Sequence, residues 1–264
     1  MKNPVILIAA LVIVLGAMFY LHGYSKRGDG EAESPQGAAN TFTLGERIEI
    51  PHAGYGHEVH ISPPSAAVDG EGNAYVAWSE AAHDSNNVYV VKPVTGEEKP
   101  VRVNPDGLSA DSVHQSPGIA TGPAGEVYVS WGSSKDKPEG VIFANDLRLS
   151  RSLDGGKSFD APIMINEDRP ISHTFEGIAA AGSGDVIAAW IDSREGWDKP
   201  ATFLTAISGQ GTVVGKEVKF GGETCVCCRV SVAAADGKEA ALWRGVAEGN
   251  VRNMTLALGE GGAF

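Results

Sequence analysis

Cysteine is absent from the first 224 residues, so no disulfide framework holds most of this chain together. Basic residues are also scarce. Against 33 Asp and Glu stand 21 Lys and Arg, a formal charge of −12, and such a surface repels phosphate backbones. Nucleic acid is therefore excluded as a partner class. Tyrosine ends at Tyr128, which leaves the second half without a phenol. What remains is ordinary for a globular chain of 264 residues: 42% hydrophobic and 20% charged, enough to bury a full core. The 34 glycines and 14 prolines are spread throughout, which suits short strands and tight turns better than long helices.

The N-terminus reads MKNPVILIAALVIVLGAMFYLHGYSKR, with no charge from Val5 to Leu21 and no clear small-residue cleavage site after it. Its length lies at the short end of a membrane span, so residues 1–24 are predicted to be an uncleaved signal anchor or transmembrane helix in preference to a cleaved signal peptide. Residues 25–41 are small, polar and acidic, the composition of a flexible linker. The folded domain, 42–264, is then expected outside the cytoplasm, periplasmic or on the cell surface.

One phrase recurs four times: SPPSAAVDGEGNAYVAW, SPGIATGPAGEVYVSW, FEGIAAAGSGDVIAAW and RVSVAAADGKEAALW. Each copy is a short apolar strand, a Gly-containing turn and an alternating strand that ends in Trp78, Trp131, Trp190 or Trp243. Between them lie VYVVKP and KPVRVN, LRLSRS and APIMIN, TFLTAIS and KEVKF. The repeat predicts an all-β fold, a β-propeller of four-stranded blades. An antiparallel sandwich would account for the strands but not for the returning tryptophan.

The stretch SLDGGKSF, Ser152 to Phe159, resembles the Asp-box (BNR repeat) of the sialidase-like propeller superfamily, and LGEGGAF at the C-terminus is similar to a worn copy. The resemblance implies that Asp154 closes a turn between the two outer strands of a blade, a structural task. It also implies a six-bladed ring, whereas four repeats are present. Either GERIEIP (45–51) closes the last blade into a four-bladed ring, or the ring is incomplete; the likeness to a larger propeller favours the second.

Aligned on their tryptophans, His60, His114 and His173 fall where Cys225, Cys227 and Cys228 fall in the fourth repeat, at the start of each first strand. First strands line a propeller's channel, so these residues are candidate ligands for a borderline or soft metal, Cu or Zn. His57 and His52 extend the set. A Cys225–Cys228 disulfide, or histidines that only line the channel, are the competing readings. A Cys-x-Cys-Cys segment that opens a blade is similar to one in sialidase-like bacterial proteins of unassigned activity.

The resemblance to sialidases implies an arginine cluster for the substrate carboxylate, a Tyr nucleophile paired with Glu, and an Asp acid/base. Arg194, Arg244 and Arg252 are the candidate anion contacts, and Asp192 with Glu195, or Glu176, are unremarkable as carboxylate pairs. The Arg-Ile-Pro signature of that family is replaced by Arg47-Ile48-Glu49-Ile50-Pro51, and no late tyrosine exists. The expectation is a membrane-tethered propeller that binds a metal or another ligand without hydrolysing it. An exo-α-sialidase acting on sialylated glycans and a protein-interaction platform are the alternatives.

Overall fold

A computed structural model of the chain describes residues 47–53, 59–82, 85–111, 115–213 and 215–260. The anchor and the linker expected at 1–24 and 25–41 lie outside the described residues. Among those described, no helix is long and apolar enough to cross a membrane.

The described residues form four antiparallel sheets, all within the compact unit Ile48–Phe264. The first holds β1 (His60–Ile61), β2 (Ser65–Val68), β3 (Ala74–Ala82), β4 (Ser85–Val91) and β5 (Val101–Arg102), with β1 and β2 both paired to β3. The second is β6 (Gly118–Thr121), β7 (Val127–Ser134), β8 (Asn145–Ser152) and β9 (Ile163–Met164). The third is β10 (His173–Ala180), β11 (Val186–Asp192), β12 (Ala201–Ile207) and β13 (Val218–Glu223). The fourth is β14 (Ser231–Ala235), β15 (Lys238–Arg244) and β16 (Met254–Glu260). Every repeat expected from the sequence is thus a hairpin, and each tryptophan sits on its second strand.

Period-two alternation explains how sheets stack on both sides. On β7, Val127, Val129 and Trp131 join Tyr75, Val88 and Val90 of the first sheet, while Tyr128 points the other way into a cluster with Ile178 and Trp190 of the third. On β11, Trp190 faces back to the second sheet, and Ala189 and Ile191 face forward to Val230 and Trp243 of the fourth. A repeated tryptophan therefore packs on the preceding blade. Trp78 meets no preceding sheet among the described residues; its Nε1 donates to Glu80 Oε1 at 2.7 Å, and the same oxygen accepts the Ala53 N–H.

Buried clusters join first to second, second to third and third to fourth sheets. None of the three joins the fourth to the first. The outward face of β16 leaves Met254, Leu256 and Leu258 exposed, and residues 48–51 form no strand, so the GERIEIP segment does not close the fourth sheet among the described residues.

The Asp-box turn lies between the outer strands β8 and β9, as the resemblance implies. Asp154 Oδ1 accepts the Lys157 and Ser158 N–H groups at 3.0 and 2.9 Å, and the Ser158 hydroxyl donates to Oδ2 at 2.6 Å. These bonds hold its carboxyl well below the usual carboxylate range.

The inner strands β10 and β14 approach so closely that only glycine fits between them. A Cβ on Gly177 would lie 2.4 Å from the Val230 carbonyl oxygen, a backbone atom that cannot turn aside. Gly177→Ala is expected to lower stability by about 1–3 kcal/mol through overpacking. Gly182→Ala, where nothing lies within 4 Å, is expected to leave the urea midpoint near wild type.

Candidate functional site

The three thiols occupy the turn that leads from β13 into β14. Thr224 and Cys225 are anchored first: the Cys225 N–H and the Thr224 hydroxyl both donate to the Arg244 carbonyl, at 2.9 and 3.0 Å. The Cys228 N–H then donates to the Cys225 carbonyl at 3.3 Å, closing a tight turn. Two residues later the Val230 N–H donates to the Phe175 carbonyl at 3.0 Å, which ties the exit of the turn to β10. Backbone bonds at both ends thus fold the four-residue segment back on itself.

The fold-back gathers sulfur. Cys225 Sγ stands 3.4 Å from Cys227 Sγ and accepts from Cys228 Sγ at 2.7 Å. All three lie within 4.8 Å of one another, and all are free thiols. Sulfur atoms that share one ion at about 2.3 Å each stand about 4 Å apart, so a shared ion would need only a small outward rotation of Cys228 Sγ from its 2.7 Å contact with Cys225. Cys225 is 2% exposed, Cys228 is half-buried and Cys227 is exposed.

Two arginines face this sulfur cluster. Arg252 Nη1 donates to Cys225 Sγ at 3.2 Å, and Arg244 Nη1 to Cys228 Sγ at 3.7 Å. Burial pushes the Cys225 thiol up, but the bonds from Cys228 and Cys227 and the Arg252 charge outweigh it and bring the thiol down to about 7. Cys227 moves the opposite way, raised first by its bond to Cys225. Arg244 is held further in its protonated form by Cys228. Of the anion candidates, Arg244 and Arg252 therefore meet the protein's own thiols.

Arg194 has a different task. Its Nε and Nη2 grip Asp192 at 2.9 and 2.6 Å, Nη2 also meets Glu217, and the guanidinium lies 3.9 Å from the centre of the Phe203 ring. An incoming anion would have to displace two carboxylates. The two carboxylates take different partners: Asp192 is held by Arg194, and Glu195 accepts from Lys219 at 2.6 Å.

The histidines separate. Both His60 and His173 begin strands, as expected, but the metal-capable group among the described residues contains cysteines alone. His60 is exposed on β1. His173 is fully buried, and its Nδ1–H donates to the Asn145 carbonyl at 2.7 Å while its backbone N–H donates to Asn145 Oδ1 at 2.9 Å. It staples the third sheet to the second. Burial pushes its pKa down, and Nε2 lies 3.6 Å from Asp192. His114 and His57 lie outside the described residues.

Sequence reasoning passed over three features. Arg229, next to Cys228, donates through Nε to the Glu176 carbonyl at 2.7 Å; burial raises the Glu176 carboxyl. A cavity of about 160 Å³ is lined by Gln115, Ser116, Phe175, Cys227 and Arg229. Beside it, a cavity of about 430 Å³ shares Gln115 and Phe175 and carries Phe143 and Trp197, both exposed, with ring centres 5.8 Å apart. Phe175, the shared wall, has φ 56°, a left-handed conformation rare for an aromatic residue. The adjacency of Arg229 to Cys228 was readable; the cavities, built from distant loops, were not.

No known protein family matches the sequence, and no curated protein matches it. Solved structures do. A protein of unknown function from Dyadobacter fermentans DSM 18053 is similar at 14% identity and a TM-score of 0.56, covering 81% of this chain and 68% of that one. The Hadza microbial sialidase Hz136 is similar at 14% identity and 0.53, covering 76% of this chain and 46% of the sialidase. An α-L-arabinofuranosidase from Lactobacillus brevis is similar at 13% identity and 0.51, covering 78% and 70%. At such identities the likeness establishes a sialidase-like propeller fold and nothing about chemistry.

Removing the Arg252 charge disfavours the Cys225 thiolate. Arg252→Gln is expected to shift the thiolate titration, followed by ultraviolet absorbance, from about 7 upward towards the ordinary thiol value.

Proposed function

We propose that this chain is a membrane-tethered, extracytoplasmic propeller that holds a soft metal ion on Cys225, Cys227 and Cys228 and does not hydrolyse glycans. The observation that carries the reading is the gathering of the three sulfur atoms within 4.8 Å beside two guanidinium groups. Thiolates select Cu(I) and Zn among the common ions. A monovalent ion on three thiolates leaves a double negative charge, which Arg244 and Arg252 are placed to offset. Zn would leave a single charge and need a fourth ligand to complete its tetrahedron. Cu(I) is therefore the better match. A small cavity lined by Cys227 gives a partner or chelate access to the centre.

The non-hydrolytic part of the reading is supported by how the described tyrosines are spent. Tyr75 and Tyr128 are buried in inter-blade cores, with hydroxyls bonded to Asp69 and to the Gly184 carbonyl at 3.3 Å each. Tyr89 packs at 6.2 Å from Trp78. Tyr89 lies near Glu80 and Arg102, and Tyr128 near Glu126 and Arg151, each with a single arginine in place of the cluster a sialidase requires.

The full chain, reduced and titrated with Cu(I) against a chromogenic chelator, is expected to take up one ion. Cys225→Ser, which removes the central ligand, is expected to weaken binding by about tenfold or more. Unchanged stoichiometry and affinity with all three cysteines replaced by serine would refute the assignment.

A further inference from the structure

We infer that the three thiols also form a thiol–disulfide relay, in which exposed Cys227 reacts with an incoming low-molecular-weight disulfide and Cys225 and Cys228 finish as the internal disulfide. The inference uses the same residues as the proposed metal centre but does not depend on a metal being bound.

The geometry assigns each thiol a place. Cys227 is exposed and lines the cavity that opens beside Arg229, so it meets solvent-borne reactants first. Cys225, 2% exposed, is shielded from them, yet its sulfur contacts both others, 3.4 Å from Cys227 and 2.7 Å from Cys228. A buried sulfur within reach of both neighbours is suited to hand a disulfide inward. Arg252 at Cys225 and Arg244 at Cys228 stand where the second and third attacking thiolates must form, whereas Cys227 reacts first because it is exposed. The turn itself, closed by Cys228 N–H to the Cys225 carbonyl, holds the two ends of a Cys-x-x-Cys segment together without further chain movement.

Cys227 thiolate attacks one sulfur of R–S–S–R; a Cys227–S–S–R bond forms, the R–S–S–R bond breaks, and RS⁻ leaves with the proton that Cys227 gave up. Cys225 thiolate then attacks Cys227 Sγ and expels the second RS⁻. Finally Cys228 thiolate attacks Cys225 Sγ, giving the Cys225–Cys228 disulfide and returning Cys227 as a thiol. Two electrons pass from Cys225 and Cys228 to the incoming disulfide, and their two protons appear on two RSH.

The third thiol is what separates this device from a simple dithiol. With Cys225 buried, a pair of Cys225 and Cys228 alone would react slowly with any disulfide too bulky to enter. Cys227 removes that restriction.

The test uses the full chain, reduced, stripped with a chelator and mixed with glutathione disulfide, then acid-quenched for intact mass and alkylation mapping. Wild type is expected to lose two hydrogens and to keep Cys227 alone open to alkylation. Cys225→Ser is expected to retain one glutathione on Cys227. Cys227→Ser, a change at an exposed position that leaves packing intact, is expected to oxidise about tenfold or more slowly. Glutathione accumulating on Cys225 or Cys228 in wild type, oxidation of Cys227→Ser at the wild-type rate, or no reaction at all would each overturn the relay. Copper uptake by the reduced protein reports separately on the metal reading, so either can fail alone.

Discussion

The contact on which the thiol site depends is the approach of two backbones, β10 and β14, across Gly177. With no side chain there, the Val230 carbonyl comes within what would be a Cβ radius of β10, and the Val230 N–H reaches the Phe175 carbonyl at 3.0 Å. That bond fixes where β14 begins. Because the other end of the preceding segment is pinned by Cys225 N–H to the Arg244 carbonyl, the residues between have little room except to turn. The cysteines meet because the two blades do.

Charge then decides what the turn can do. Three thiols at such spacing would repel one another as thiolates, and two of them have a guanidinium within hydrogen-bonding reach. Both arginines come from the far side of the same blade, Arg244 at the end of β15 and Arg252 just before β16, so the sheet that positions sulfur also positions its counter-charge. Arg194, by contrast, is enclosed by Asp192, Glu217 and Phe203 and braces the third sheet. The proposed metal binding and disulfide exchange would draw on the same property, a stabilised thiolate, and differ in which soft electrophile arrives.

Much of the architecture was legible in the residue order. The four Trp-ended phrases marked the hairpins because an inter-blade core demands alternation and one large ring per repeat, and SLDGGKSF marked its turn because Asp154 must accept from backbone N–H groups. The cysteine cluster was legible from spacing alone. The places of His60 and His173 were not: equal distance from tryptophan gave equal position along the strand but not equal direction. On β10 the register shifts between Thr174 and Gly177, and Phe175 adopts φ 56°, so the face to which a strand-start residue turns cannot be counted back from Trp190. His173 consequently enters the seam between blades and bonds to Asn145. The aromatic-lipped cavity was hidden for a related reason, since Phe143, Trp197 and Val226 lie on separate loops that only folding brings together.

X-ray absorption at the copper edge of the Cu(I)-loaded full chain is the most direct measurement of the central claim, that sulfur from one turn forms the centre. The account predicts sulfur neighbours only, at about 2.3 Å. An imidazole shell, from His60, His114 or His173, would contradict it and restore a centre assembled from several blades.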